Sequence, residues 1–125
     1  LQLSCCISGY RKRQLSECGT ICAEFHLIFC YGSLSFNSWK RFSEFQKLYE
    51  IVKHFHDDET SSRQFPVTII DWEALKRRQK WFRDLRTPYL IEKSVYLGRF
   101  IQSLLLESDG PGLLLLFSRC EELSI

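Results

Sequence analysis

No stretch of this chain is apolar for long enough to cross a bilayer: the run Leu113 to Phe117 falls far short of the ~20 residues that a spanning helix needs. The start carries no charged-then-apolar segment of the signal-peptide kind. Methionine is absent and the chain opens on Leu1, so residues 1–125 are expected to be one domain taken from a longer protein. Excess charge is missing as well. With 17 Lys and Arg against 15 Asp and Glu, the formal net charge is +2, which gives no argument for a nucleic-acid partner. Any basic function has to come from clustering.

Catalytic and metal signatures are equally scarce. There is no Gly-rich phosphate loop, no H-E-x-x-H, no nucleophile elbow and no Walker pattern. Six Cys and three His can be paired on paper, but nothing in the local sequence positions such a pair, so no catalytic residue and no enzyme is expected. Cys18 and Cys22 lack the second, similarly spaced pair that a structural zinc site wants. Reduced intracellular thiols, with no metal and no cofactor, are the expectation. His54 and His56, one residue apart, point to opposite sides of a helix and read as a helix end with favourable C-terminal charge.

What is present is an ordinary globular composition, 45% hydrophobic and 26% charged, with clear periodicity. Leu1, Leu3, Cys5 and Ile7 alternate, predicting a short strand that breaks at Gly9. Tyr10 to Thr20, including Arg11-Lys12-Arg13, then reads as an exposed connection. From Ile21 to Tyr31 the alternation is strict, and Gly32-Ser33 is a two-residue hairpin signal. That turn pairs Tyr31 with Leu34, Phe29 with Phe36 and Glu24 with Arg41.

The chain is organised around the junction Trp39 to Tyr49, where the hairpin ends and a helix begins. Ser43 and Gln46 have capping-box spacing, so a helix is expected to start at Ser43. Arg41 then sits at a strand end beside an open helix terminus, where a planar guanidinium and backbone amides converge on an anion. The plainer alternative is a cross-strand pair with Glu24, a contribution of a few tenths to about 1 kcal/mol.

Further on, Phe65-Pro66 forces an extended segment, and Asp71 is a candidate N-cap for a helix from Trp72 to Arg83. Between Trp72 and Arg86 six Lys or Arg face two acids, interleaved with Trp72, Trp81 and Phe82. Such a segment suits either a surface helix with its aromatics inward or a membrane-surface element. In the second reading Ile69, Ile70 and Trp72 insert. Thr87-Pro88 opens a long helix to about Ser108, with Leu90, Ile91, Val95, Leu97, Phe100, Ile101, Leu104 and Leu105 inward. Leu113 to Ile125 reads as a last helix. Strands first and helices after predict an α+β domain, a small three-stranded antiparallel sheet followed by a helical subdomain.

Lys40-Arg41-Phe42-Ser43-Glu44-Phe45 is similar to the R-R-Y-S-E-F of the PX (phagocyte oxidase homology) domain, a phosphoinositide-binding module of sorting nexins and related trafficking proteins. Leu48-Tyr49, Phe65-Pro66, the Leu97, Phe100, Ile101, Leu104, Leu105 pattern and the break at Ser108-Asp109 resemble that family in the same order, over nearly the whole chain. The resemblance implies a non-catalytic module on endosomal or vesicular membranes, cytoplasmic and peripheral, whose usual ligand is phosphatidylinositol 3-phosphate. It implies that Arg41 holds the 3-phosphate, that Phe42 stacks beneath the inositol ring, and that Lys93 stands where the family has a second Arg. Thr68 stands where the family has a Lys for the 1-phosphate, and Lys76, Arg77 or Lys80 are the candidate substitutes. A PX-like scaffold for protein partners, without lipid binding, is the alternative.

Overall fold

Gly32 adopts φ +60°, the left-handed conformation that the first position of a type II′ turn requires, and the hairpin it closes has the register the sequence predicts. Strand β2 (Ile21–Tyr31) pairs antiparallel with β3 (Leu34–Arg41) through Tyr31 with Leu34, Phe29 with Phe36 and Glu24 with Arg41. The computed structural model describes residues 2–15, 19–61, 63–79 and 84–119. Within them a three-stranded antiparallel sheet is followed by helices α1 (Phe42–Asp57), α2 (Pro66–Arg78), α3 (Thr87–Glu107) and α4 (Gly112–Arg119). This is the α+β order expected.

The core lies between one sheet face and the helical layer. Phe25, Leu27 and Phe29 alternate onto that face of β2 and are fully buried against Phe45 and Leu48 of α1, Phe100 and Leu104 of α3, and Phe117 of α4. The long helix α3 carries the rest of its stripe as expected at Leu90, Leu97 and Ile101. Ile91 and Val95 are instead about half exposed, since only one side of a helix this long meets the sheet.

Strand β1 (Leu3–Gln14) does not stop at Gly9. The register slips there by a bulge and the strand runs on, so Arg11 pairs with Glu24 and Arg13 with Cys22 in the ladder. The basic triplet is therefore sheet and not connection. Its consequence reaches Glu24, whose carboxylate takes Arg11 at 2.8 Å and Arg13 at 3.5 Å.

Two helix starts also differ from expectation. Arg41, rather than Ser43, is the N-cap of α1, because Glu44 three residues on reaches back to accept the Arg41 N–H at 3.0 Å. Helix α2 begins at Pro66 and not after Asp71, so Pro66 falls in the first turn, where its missing N–H costs nothing. The cap acceptor comes from α3. The Glu107 carboxylate accepts from Val67 N–H at 3.0 Å, and from the N–H and hydroxyl of Thr68, each at 2.6 Å. Asp71 lies inside α2 and accepts a hydrogen bond from Ser103 of α3. His54 and His56 lie in the last turn of α1 as expected, and the Phe65 N–H, just ahead of α2, donates to His56 Nδ1 at 2.9 Å.

Lys80, Trp81, Phe82 and Arg83 of the basic segment, Cys18 of the Cys18 and Cys22 spacing, and residues 120–125 of the expected last helix lie outside the described residues.

Candidate functional site

The earlier start of α2 sets the phase of that helix. Thr68, Trp72 and Leu75, spaced four and three apart, are its buried residues. Trp72 is only 2% exposed, with Phe42 stacked on it at 5.4 Å and Tyr49 at 5.0 Å between ring centroids. It is a core residue, and the insertion role expected of it does not hold. Ile69 is half-buried against the core, while Ile70 is 62% exposed and Val67 beside it is exposed too.

Stacking on Trp72 fixes Phe42 at the first turn of α1. Over the Phe42 ring stands the ammonium of Lys93, its Nζ 3.9 Å from the centroid, with the Tyr89 ring 5.5 Å away one turn earlier on α3. The Phe42 ring is thus already engaged by Trp72 and Lys93. Its part is to hold a cation in place rather than to lie bare beneath a sugar ring.

Lys93 has no hydrogen bond or ion pair with any acid among the described residues, and its contacts are aromatic faces. Burial pushes its amine down to about 8, and the nearby positive charge of Lys76 pushes the same way. A half-buried ammonium without a counter-charge is an unfavourable arrangement unless an anion completes it.

Arg41 precedes Phe42 directly and is exposed. Although the register sets it opposite Glu24, its guanidinium has no partner among the described residues, because Glu24 is turned to Arg11 and Arg13. The cross-strand pair that offered the plainer reading of Arg41 is not made. The Arg41 amide is taken by Glu44, while the guanidinium keeps its donors. The adjacent Lys40 is different: it is buried, 3.6 Å from Glu44, with its ammonium over the Phe117 ring.

The structure therefore brings together Phe42, Lys93 and Lys76, with Arg41 next to Phe42 in the chain. Arg77 is exposed on α2 and lines a separate cleft of about 550 Å³ with Arg78, Arg86 and Tyr89. Thr68 does not face the cationic group, being buried and tied to Glu107. Tyr89 was not anticipated, although its spacing of four from Lys93 on one helix is the signal that finds it. Arg78 was likewise read only as part of the basic run, whereas it is bound to Glu92 at 2.9 Å.

Among the described residues no His, Cys, Asp and Glu cluster could hold a metal ion, and no helix is long and apolar enough to cross a membrane. No family model, no curated protein and no solved structure matches this chain.

Proposed function

We propose that the chain is a phosphoinositide-binding, membrane-targeting module of the PX type, which takes a 3-phosphorylated inositol headgroup at Arg41 and Lys93. The observation that carries this reading is the half-buried Lys93 ammonium, held over the ring that follows Arg41 with no acid beside it among the described residues. Among the described residues Arg41 is without an acidic partner and Lys93 is held against Phe42 without one, and the charge of Lys76 is felt at Lys93. Arg supplies a planar fork for phosphate, and Lys a point charge.

The surface for lipid approach is Ile70 and Val67, exposed near the start of α2, with the cations of Lys76 and Arg77 later on the same helix. Shallow apolar contact of this size is weak alone, so recruitment to endosomal or vesicular membranes relies on headgroup binding and on avidity from a parent chain. The test is sedimentation with vesicles carrying each phosphoinositide in turn, wild type beside Arg41→Ala. Selective recovery on 3-phosphorylated lipid that Arg41→Ala abolishes, with circular dichroism unchanged, supports the reading. Failure of both proteins to sediment with any lipid rejects it.

A further inference from the structure

The sheet order β1-β2-β3 leaves β3 as an edge strand. A two-residue turn makes Tyr31 and Leu34 a hydrogen-bonded pair, and from there antiparallel pairing alternates. Phe36 and Ser38 accordingly turn their backbone groups to β2, whereas Ser35, Asn37 and Trp39 turn theirs outward. None of these outward N–H and C=O groups finds a backbone partner among the described residues. Edge strands are normally protected by proline, by a bulge or by shortness. β3 has eight residues, no proline and an unbroken register.

Along this edge runs a cleft of about 760 Å³, lined by Asn37, Ser38 and Trp39 of β3, by Arg11 and Arg13 of β1, and by Arg119 at the end of α4. Ser38 Oγ is buried there and has no hydrogen-bond partner. A buried hydroxyl left unpaired is uncommon in a folded protein and points to a missing partner. Positive charge is in excess in the cleft, whose lining also holds Glu24 and the paired Lys40 and Glu44. Arg11 and Arg13 share the single carboxylate of Glu24, and Arg119 meets no acid among the described residues, only the Phe36 ring at 5.9 Å.

We propose that this cleft binds an extended acidic peptide segment of a partner protein, which adds as a further strand to the open edge of β3. Its backbone takes the outward groups of Ser35, Asn37 and Trp39, and its alternate side chains fall on the two sides of the edge. Carboxylates on one side meet Arg11 and Arg13, and on the other Arg119, with Ser38 Oγ donating to an acceptor of the same segment. A flat membrane surface offers no strand to these amides. This proposal does not depend on the cation cluster at Lys93.

The test uses the whole chain and a capped heptapeptide alternating glutamate with threonine, beside the same peptide with lysine for glutamate. The expected result is saturable binding of the glutamate peptide alone, with slowed hydrogen exchange at the Asn37 and Trp39 amides. Asn37→Pro removes an outward N–H at a position where an edge strand tolerates proline, and Arg119→Glu reverses a charge on the exposed helix end. Each is expected to weaken binding roughly tenfold or more while circular dichroism stays unchanged. The proposal is overturned if the glutamate peptide does not saturate, if the lysine peptide binds equally, if the two amides exchange as before, or if folded Arg119→Glu binds like wild type. Anionic vesicles slowing the same amides as the peptide would also overturn it.

Discussion

Lys93 holds its ammonium 3.9 Å from the centroid of the Phe42 ring, a residue that begins the helix immediately after Arg41. The contact joins α1 and α3, distant in sequence, and sets a cation over the ring that follows Arg41 in the chain. Neither Arg41 nor Lys93 is answered by an acid among the described residues.

Removing the Lys93 charge should therefore stabilise the fold and weaken anion binding at once. Lys93→Met keeps the aliphatic stem against Phe42 and Tyr89 and removes the half-buried ammonium. Thermal unfolding at pH 7 is expected to show a higher Tm than wild type, and phosphoinositide vesicles a lower affinity. A lower Tm would mean that the cation over Phe42 is a net stabilising contact.

The same residue sets a pH dependence with a definite sign. Its amine titrates at about 8 in the folded chain against an ordinary 10.5, so between these values the unfolded chain binds more protons and stability rises with pH. Below about 8 both states are charged and the cost of burying the charge is present in full. Denaturant unfolding across this range should show the rise in wild type, reduced in Lys93→Met. Headgroup affinity should move the opposite way, falling as pH passes about 8 and the ammonium is lost.

Trp72 and Ile70 should separate stability from membrane contact. Trp72→Ala empties a site filled against Phe42, Tyr49 and Phe100 and is expected to cost about 3–5 kcal/mol, measured by denaturant unfolding. Ile70→Ala, at an exposed position, should change stability by no more than about 0.5 kcal/mol and reduce vesicle binding only.

Glu107 gives an acid limb. Burial pushes its carboxyl up, but hydrogen bonds from the Thr68 hydroxyl and from the Thr68 and Val67 amides outweigh this and hold it below the ordinary 4.5. The cap is fully present above that value and is lost as pH falls through the lower folded one. Glu107→Gln should cost about 1 kcal/mol at pH 7 by removing the charged cap of α2, and should flatten the loss of stability below pH 4.5.

What the sequence revealed and what it concealed divide by distance along the chain. The β2 alternation and the Gly32-Ser33 turn were enough for the strand register, because period-two patterning and a two-residue loop leave one solution. The resemblance had put Arg41, Phe42 and Lys93 in one place, and the structure puts Lys93 over Phe42. Lost to local reading were the features supplied from afar. Gly9 looked like a strand end because a bulge is visible only with its partner β2 in place. Helix α2 looked as though it began at Asp71 because its cap comes from Glu107 on α3, and that shift of phase turned Trp72 inward. The freedom of Arg41 depends on Arg11 and Arg13 taking Glu24, which no window around Arg41 contains.

The most direct measurement is the pKa of Lys93 itself, by NMR of the labelled side chain, with and without a short-chain soluble phosphatidylinositol 3-phosphate. The expected result is a value near 8 in the free protein that rises toward 10.5 when the lipid is bound, as a phosphate supplies the missing negative charge, with the rise diminished in Arg41→Ala. A Lys93 amine that titrates identically with and without saturating lipid would contradict it.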